Sequence, residues 1–158
     1  MTQSMPQIVC ATRGGQGSRV VQEEAIRRSQ TLGRLLVFLY ISDPTSQMPI
    51  DASLWPALQA ELNWMGQTLL HLARQRAEAA GLLAQVVIRQ GDVRTEISRY
   101  VRENGVELLL LGASRHTSAN VFGDDAVEQF AAAIQGETGV PVEVIRPEAQ
   151  MNDLGPER

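Results

Sequence analysis

Glu107-Leu108-Leu109-Leu110-Leu111-Gly112-Ala113-Ser114-Arg115-His116-Thr117-Ser118 is the stretch that decides the architecture. An apolar run this short, closed by a glycine, reads as a strand buried on both faces rather than as a helix. Strands of that kind belong to parallel sheets. The polar, Gly-flanked loop at such a strand's carboxyl end is where open α/β sheets bind ligands. A second junction of the same type lies near the start, where Ile8-Val9-Cys10-Ala11-Thr12 runs into Arg13-Gly14-Gly15-Gln16-Gly17-Ser18. Together the two junctions predict a ligand crevice.

Working outward, the remaining pattern alternates strand and helix without repeats. Residues 7–12 are a first strand. Residues 18–32 are a helix with Ser18 as N-cap and Val21, Ala25 and Leu32 on one face. Residues 34–41 form a second buried strand, followed by a loop over 42–53 with Pro44 and Pro49. The longest helix is expected over 54–80, with Leu58, Leu62, Met65, Leu69 and Leu72 as its apolar stripe, stopped by Gly81. Residues 82–88 are a third strand. Gly91-Asp92 opens a helix with Ile97, Tyr100 and Val101 inward, and Asn104-Gly105 ends it. After the leucine strand, a helix near 124–135 buries Val127, Phe130, Ala131 and Ile134. A last strand spans 140–146, its Pro141 favouring an edge position.

Strict βαβ alternation means a single-domain, three-layer α/β/α fold. Its core is a five-stranded parallel doubly wound (Rossmann-like) sheet of order 3-2-1-4-5. The first and fourth strands are then central neighbours, and their loops meet at one topological switch point. The domain is expected to occupy residues 1–147, with 148–158 a disordered C-terminal tail because they carry little apolar material.

Composition narrows the chemistry. The chain has 158 residues, enough for one substantial core. A net charge of −4 argues against nucleic-acid or anionic-membrane partners. Its start lacks a signal-peptide pattern, and its single cysteine, Cys10, fits a reducing cytoplasm and reads as a buried small hydrophobe. There is no lysine; all 14 basic residues are arginine. That excludes Schiff-base chemistry and a phosphate-loop lysine. His71 and His116 have no spaced partners, so no metal site is expected. Ser114 and Ser118 show no activating signature in sequence. Gly14, Gly15 and Gly17 do not complete a dinucleotide fingerprint. They bear a faint likeness to the Ser-Gly-Gly-x-Asp-Ser pyrophosphatase loop, broken at Arg13 and Gly17. Glu23-Glu24, Arg27-Arg28 and Arg74/Arg76 read as solvated helix faces.

Taken in order, these segments resemble the universal stress protein family, of adenine nucleotide alpha hydrolase-like fold. Residues 8–18 resemble its opening strand and Asp-Gly-Ser-x-x-Ser turn. Ile41-Ser42-Asp43-Pro44 is similar to the end of its second strand, and Gln90-Gly91-Asp92 to its Gly-Asp-Pro helix start. Residues 108–115 resemble its Met-Gly-Ser/Thr-Arg/His-Gly segment, and residues 138–146 its closing Cys-Pro-Val-Leu-Val-Val strand. The resemblance implies a stress-response role. Family members that bind ATP carry an aspartate after strand one and Gly-x2-Gly-x9-Gly-Ser/Thr after strand four. Here Arg13 takes the aspartate's place, Gly112 supplies the first glycine, Arg115 replaces the second, and neither Gly123-Asp124 nor Asp125-Ala126 restores the end. Asp124 and Asp125 would sit in the first turn of a helix, where a triphosphate needs a positive dipole end. Each like-charge contact there costs on the order of a few kcal/mol. A magnesium ion would reverse that sign.

The expectation is therefore a cytoplasmic, non-enzymatic, homodimeric regulatory or interaction module with no cofactor and an unidentified protein partner. It would not hold ATP in the family's usual mode. The alternative is a binder of an adenine nucleotide or another phosphorylated ligand, with ATP and magnesium as candidates and at most slow hydrolysis. The crevice for either would be lined by Thr12, Arg13, Gly14, Gly15, Ile41, Gly112, Ser114, Arg115 and Gly123. Arg13 and Arg115 either fork around an anion or pair with Asp124 and Asp125 and fill the space. The last strand, apolar in alternation and exposed at an edge, resembles the family's dimer contact. Val142 and Val144 are expected at that interface.

Overall fold

The computed structural model describes residues 5–12, 16–43, 51–112 and 126–146. In chain order these form β1 (Gln7–Ala11), α1 (Gln16–Leu32), β2 (Leu35–Ser42), a 3-10 turn (Ala52–Leu54) leading into α2 (Trp55–Ala79), β3 (Ala84–Gln90), α3 (Val93–Glu103), β4 (Val106–Gly112), α4 (Ala126–Thr138) and β5 (Val142–Ile145). The five strands are all parallel and lie in the order β3-β2-β1-β4-β5. That is the expected three-layer arrangement, with β1 and β4 paired at the centre.

The period-two alternation of strand side chains splits the core into two layers. Ile8, Cys10, Leu36, Phe38, Leu108 and Leu110 face α1 and α2, together with Val21, Ala25, Leu70 and Ala73. Val9, Val37, Leu39, Leu109 and Leu111 face α3 and α4, together with Ile97, Tyr100, Val101 and Ile134. The leucine run 108–111 thus divides evenly, two side chains to each layer, which is why it carries no polar residue. Burying each such side chain stabilises the fold by roughly 1.5–3 kcal/mol.

Helix α3 starts as expected. Asp92 is its N-cap, accepting a hydrogen bond from the backbone N–H of Thr95 at 3.0 Å, and this holds its carboxyl below the usual range. Gly91, immediately before it, sits at φ +138°, a conformation that favours glycine.

Helix α2 departs from expectation by a rotation about its axis. Leu62, Gly66, Leu70, Ala73 and Ala77 face the core, whereas Met65 and Leu72 from the expected stripe are exposed. The reason is close approach. A Cβ on Gly66 would stand 2.5 Å from Cδ1 of Tyr40, so only glycine lets the helix lie against β2 there. Small residues, rather than the longest apolar side chains, chose the face. Other differences are smaller. Helix α1 begins at Gln16, so Ser18 lies within its first turn and is not the N-cap. Leu32 is exposed. The third strand runs 84–90 rather than 82–88, and β5 is shorter than 140–146.

Two of the helix-surface arginines expected to be solvated are built into the structure. Arg28 of α1 donates from both terminal nitrogens to Glu143 of β5, at 2.7 and 2.9 Å, and from Nε to Glu24. Arg76 of α2 donates to Gln22 of α1 at 2.5 Å. Arg19 and Arg27 do pair locally along α1, with Glu23 and Glu24.

Candidate functional site

The carboxyl ends of β1, β2 and β4 open into a cavity of about 410 Å³ between α2 on one side and α3 and α4 on the other. Three of the residues expected in the crevice line it together: Thr12, Ile41 and Gly112. The parallel register explains this, because it aligns Ala11 with Leu39 and with Leu111, so the strands end side by side. Arg13, Gly14, Gly15, Ser114, Arg115, Gly123 and both aspartates 124 and 125 lie outside the described residues, as does His116.

Thr12 is locked from behind. Its N–H donates to the Leu39 carbonyl at 2.9 Å, and its Oγ1 accepts from Gln22 Nε2 at 2.9 Å. Gln22 is buried, and its carbonyl oxygen accepts from Arg76. This chain of buried polar groups ties β1, α1 and α2 together beneath the crevice, and a satisfied network of that kind rigidifies its members. With Oγ1 oriented by Gln22, the Thr12 hydroxyl keeps its own proton to donate; no described residue accepts it.

Most of the lining side chains are apolar, with polar groups exposed among them. Leu39, Ile41, Val93, Ile97, Leu111, Val127 and Phe130 make one side, and Tyr40, Leu62 and Met65 the other. Val127 and Phe130, expected in the core, stand partly buried at the rim, while Ala131 and Ile134 one turn on are buried. Burial pushes the Tyr40 phenol above its ordinary value, so it remains neutral. Asp43 also lines the cavity and is buried. Its neighbour Ser42 is fixed twice: Oγ accepts from Gln59 at 2.7 Å, and its carbonyl accepts from the Gly91 N–H at 3.0 Å.

Ile41-Ser42-Asp43-Pro44 reads as a strand end, a pattern that by itself does not place Asp43 in the site. The usable signal was its position one residue past the end of a buried strand that pairs in parallel with β1, at the same carboxyl edge of the sheet as Thr12. Val93, Leu62 and Met65 could not have been found that way, since they reach the cavity only through helix packing.

Chemically the cavity suits a group that offers both apolar faces and polar edges. The described residues supply no activated nucleophile. Cys10 is fully buried, and burial pushes its thiol far above the ordinary range. No group of three or more His, Cys, Asp or Glu side chains among the described residues could hold a metal ion. No described helix is long and apolar enough to cross a membrane.

Val142 and Val144 are half-buried within the single chain, packed against the layer formed by α3 and α4. Beside them a shallow groove runs between β5 and α4, lined by Ala132, Gly136 and Glu128.

The Universal stress protein family model matches residues 5–124. No curated protein matches the sequence significantly. Among solved structures, the fold is similar to universal stress protein UspA from Lactobacillus plantarum, with a TM-score of 0.72 at 17% identity, covering 92% of this chain and 100% of that one. It is similar to a universal stress protein family member from Burkholderia pseudomallei, with a TM-score of 0.66 at 20% identity, covering 88% and 94%. A universal stress protein family protein from Arabidopsis thaliana, solved with AMP bound, has a TM-score of 0.64 at 15% identity, covering 96% of each chain. At these identities the structures attest the fold, and the family match over most of the sequence attests the kinship: the chain belongs to the universal stress protein family.

Proposed function

We propose that the chain is a non-enzymatic, homodimeric stress-response module of the cytoplasm whose crevice takes an adenine nucleotide with fewer phosphates than ATP. The observation that supports this most is the cavity at the β1–β4 switch point, lined mostly by apolar side chains, with the Thr12 hydroxyl fixed at its floor. An adenine-sized group fits its volume and lining. That the relative from Arabidopsis thaliana was solved with AMP bound supports this reading. The triphosphate is disfavoured by sequence: Arg13 replaces the expected acid, and two carboxylates, Asp124 and Asp125, directly precede α4 in the chain, a poor setting for phosphate.

Dimerisation is proposed through β5, by pairing with a second copy across a two-fold axis. In a parallel ladder alternate residues point their backbone groups away from the neighbour. Leu109 donates to the Pro141 carbonyl, so Val142 and Val144 present theirs to the open edge. The Val142 N–H is already taken by Gln135 Oε1 at 3.0 Å, so the pairing centres on Val144.

Calorimetry with AMP and with ATP–magnesium, alongside mass spectrometry of any ligand released on denaturation, tests the site. The expected outcome is AMP binding at least about tenfold tighter than ATP–magnesium, corresponding to a difference of about 1.4 kcal/mol. Tight stoichiometric ATP binding would overturn it.

A further inference from the structure

We propose that the β3 edge, with the ridge of α2 beside it, is a docking groove for an extended acidic peptide of a partner protein. Strand β3 borders only β2, so one side of its backbone has no neighbouring strand. The Gly91 N–H bonds the Ser42 carbonyl, which sets the ladder's phase: odd-numbered β3 residues face β2, and Val86 and Ile88 face outward. None of the described hydrogen bonds reaches those outward groups. Their side chains pack toward α2 and floor a groove of about 450 Å³.

Gln67, His71 and Arg74, at helical spacing along α2, form its far wall. Arg74 makes no ion pair or hydrogen bond to a described residue, although Glu78 lies one turn away. No acidic side chain among the described residues lines the groove. In a chain of net charge −4, a lining whose formal charge is purely basic favours an anionic occupant. Exposed apolar residues stand at both ends. Leu83 precedes the strand at 82% exposure. Trp64, at 65%, follows Asn63, whose amide oxygen is 3.5 Å from Gln90 Nε2. Natural proteins blunt a free edge with charges or covering side chains, and this one lacks a cover among the described residues. An added strand would pair with Val86 and Ile88, seat an apolar side chain in the groove, and place a carboxylate on Arg74.

The test uses a phage-displayed random heptapeptide library selected on the full chain, with Arg74→Glu as the counter-target. Arg74 is exposed, and circular dichroism checks that the variant keeps its fold. The expected result is an enriched pool with an acidic residue among alternating β-branched ones, binding the variant at least about tenfold more weakly. A selected peptide should also slow hydrogen exchange at the Val86 and Ile88 amides at least about tenfold. No enrichment, equal binding to Arg74→Glu, or unchanged exchange at those amides would overturn the proposal. So would self-association of the chain through this edge.

Discussion

The two edges of the sheet are guarded differently. At β5, Gln135 holds the Val142 N–H, Arg28 clamps Glu143 from α1, and Arg146 is bound at 2.8 Å to Glu128 of α4. At β3, the described side chains leave the outward backbone of Val86 and Ile88 unbonded, and a single helix, α2, covers one face. An edge tied to helices on both sides keeps its register and is rigid enough to meet a twin. An edge left open offers backbone hydrogen bonds to an incoming strand.

The largest effect that would break this contrast is Val144→Arg. A charge at the centre of the proposed β5 contact should abolish the dimer, halving the molar mass measured by light scattering; an unchanged mass would remove β5 from the interface. Next comes Gly66→Val. Its side chain would enter the space of Tyr40, prying α2 from β2 and β3 at a cost of roughly 2 kcal/mol. Thermal unfolding should fall by about 4–8 °C. Were Gly66→Val neutral, the close approach that fixes the helix's face would be wrong.

Arg28→Met should act more mildly, lowering the melting temperature by about 2–4 °C as the tie between α1 and β5 is lost. The same pair has a pH signature. The Arg28 hydrogen bond holds the Glu143 carboxyl below its ordinary value. A carboxyl depressed in the folded state adds stability that is complete above the unfolded value and is lost as pH falls through the folded one. The difference in melting temperature between wild type and Arg28→Met should therefore shrink on acidification below the ordinary glutamate range. Because both side chains are partly exposed, raising the salt concentration should also narrow it.

The smallest effect is expected from Gln135→Met, which frees the Val142 N–H while keeping side-chain length. Exchange at that amide should quicken in the monomer, with a change in stability of about 1 kcal/mol or less. Unchanged exchange would mean that the Gln135 contact does not guard the edge.

Part of the cavity lining was legible in the sequence. Thr12, Ile41 and Gly112 close strands whose apolar runs announce themselves, and parallel pairing leaves their ends nowhere else to go. Met65 and Val93 were not legible, since each reaches the cavity through the rotation of its helix. Arg28 and Arg76 looked like ordinary surface charges because the groups they bind, Glu143 and Gln22, are distant in sequence.

The order of apolar strands and amphipathic helices by itself determined a parallel sheet with its crevice at β1 and β4. Short buried runs must pair, and chain chirality allows essentially one way to wind them. Only the tertiary structure decided which face of α2 is inward and which edge is capped. Those choices depend on a missing Cβ at Gly66 and on contacts between residues far apart in the chain, and a local pattern carries neither.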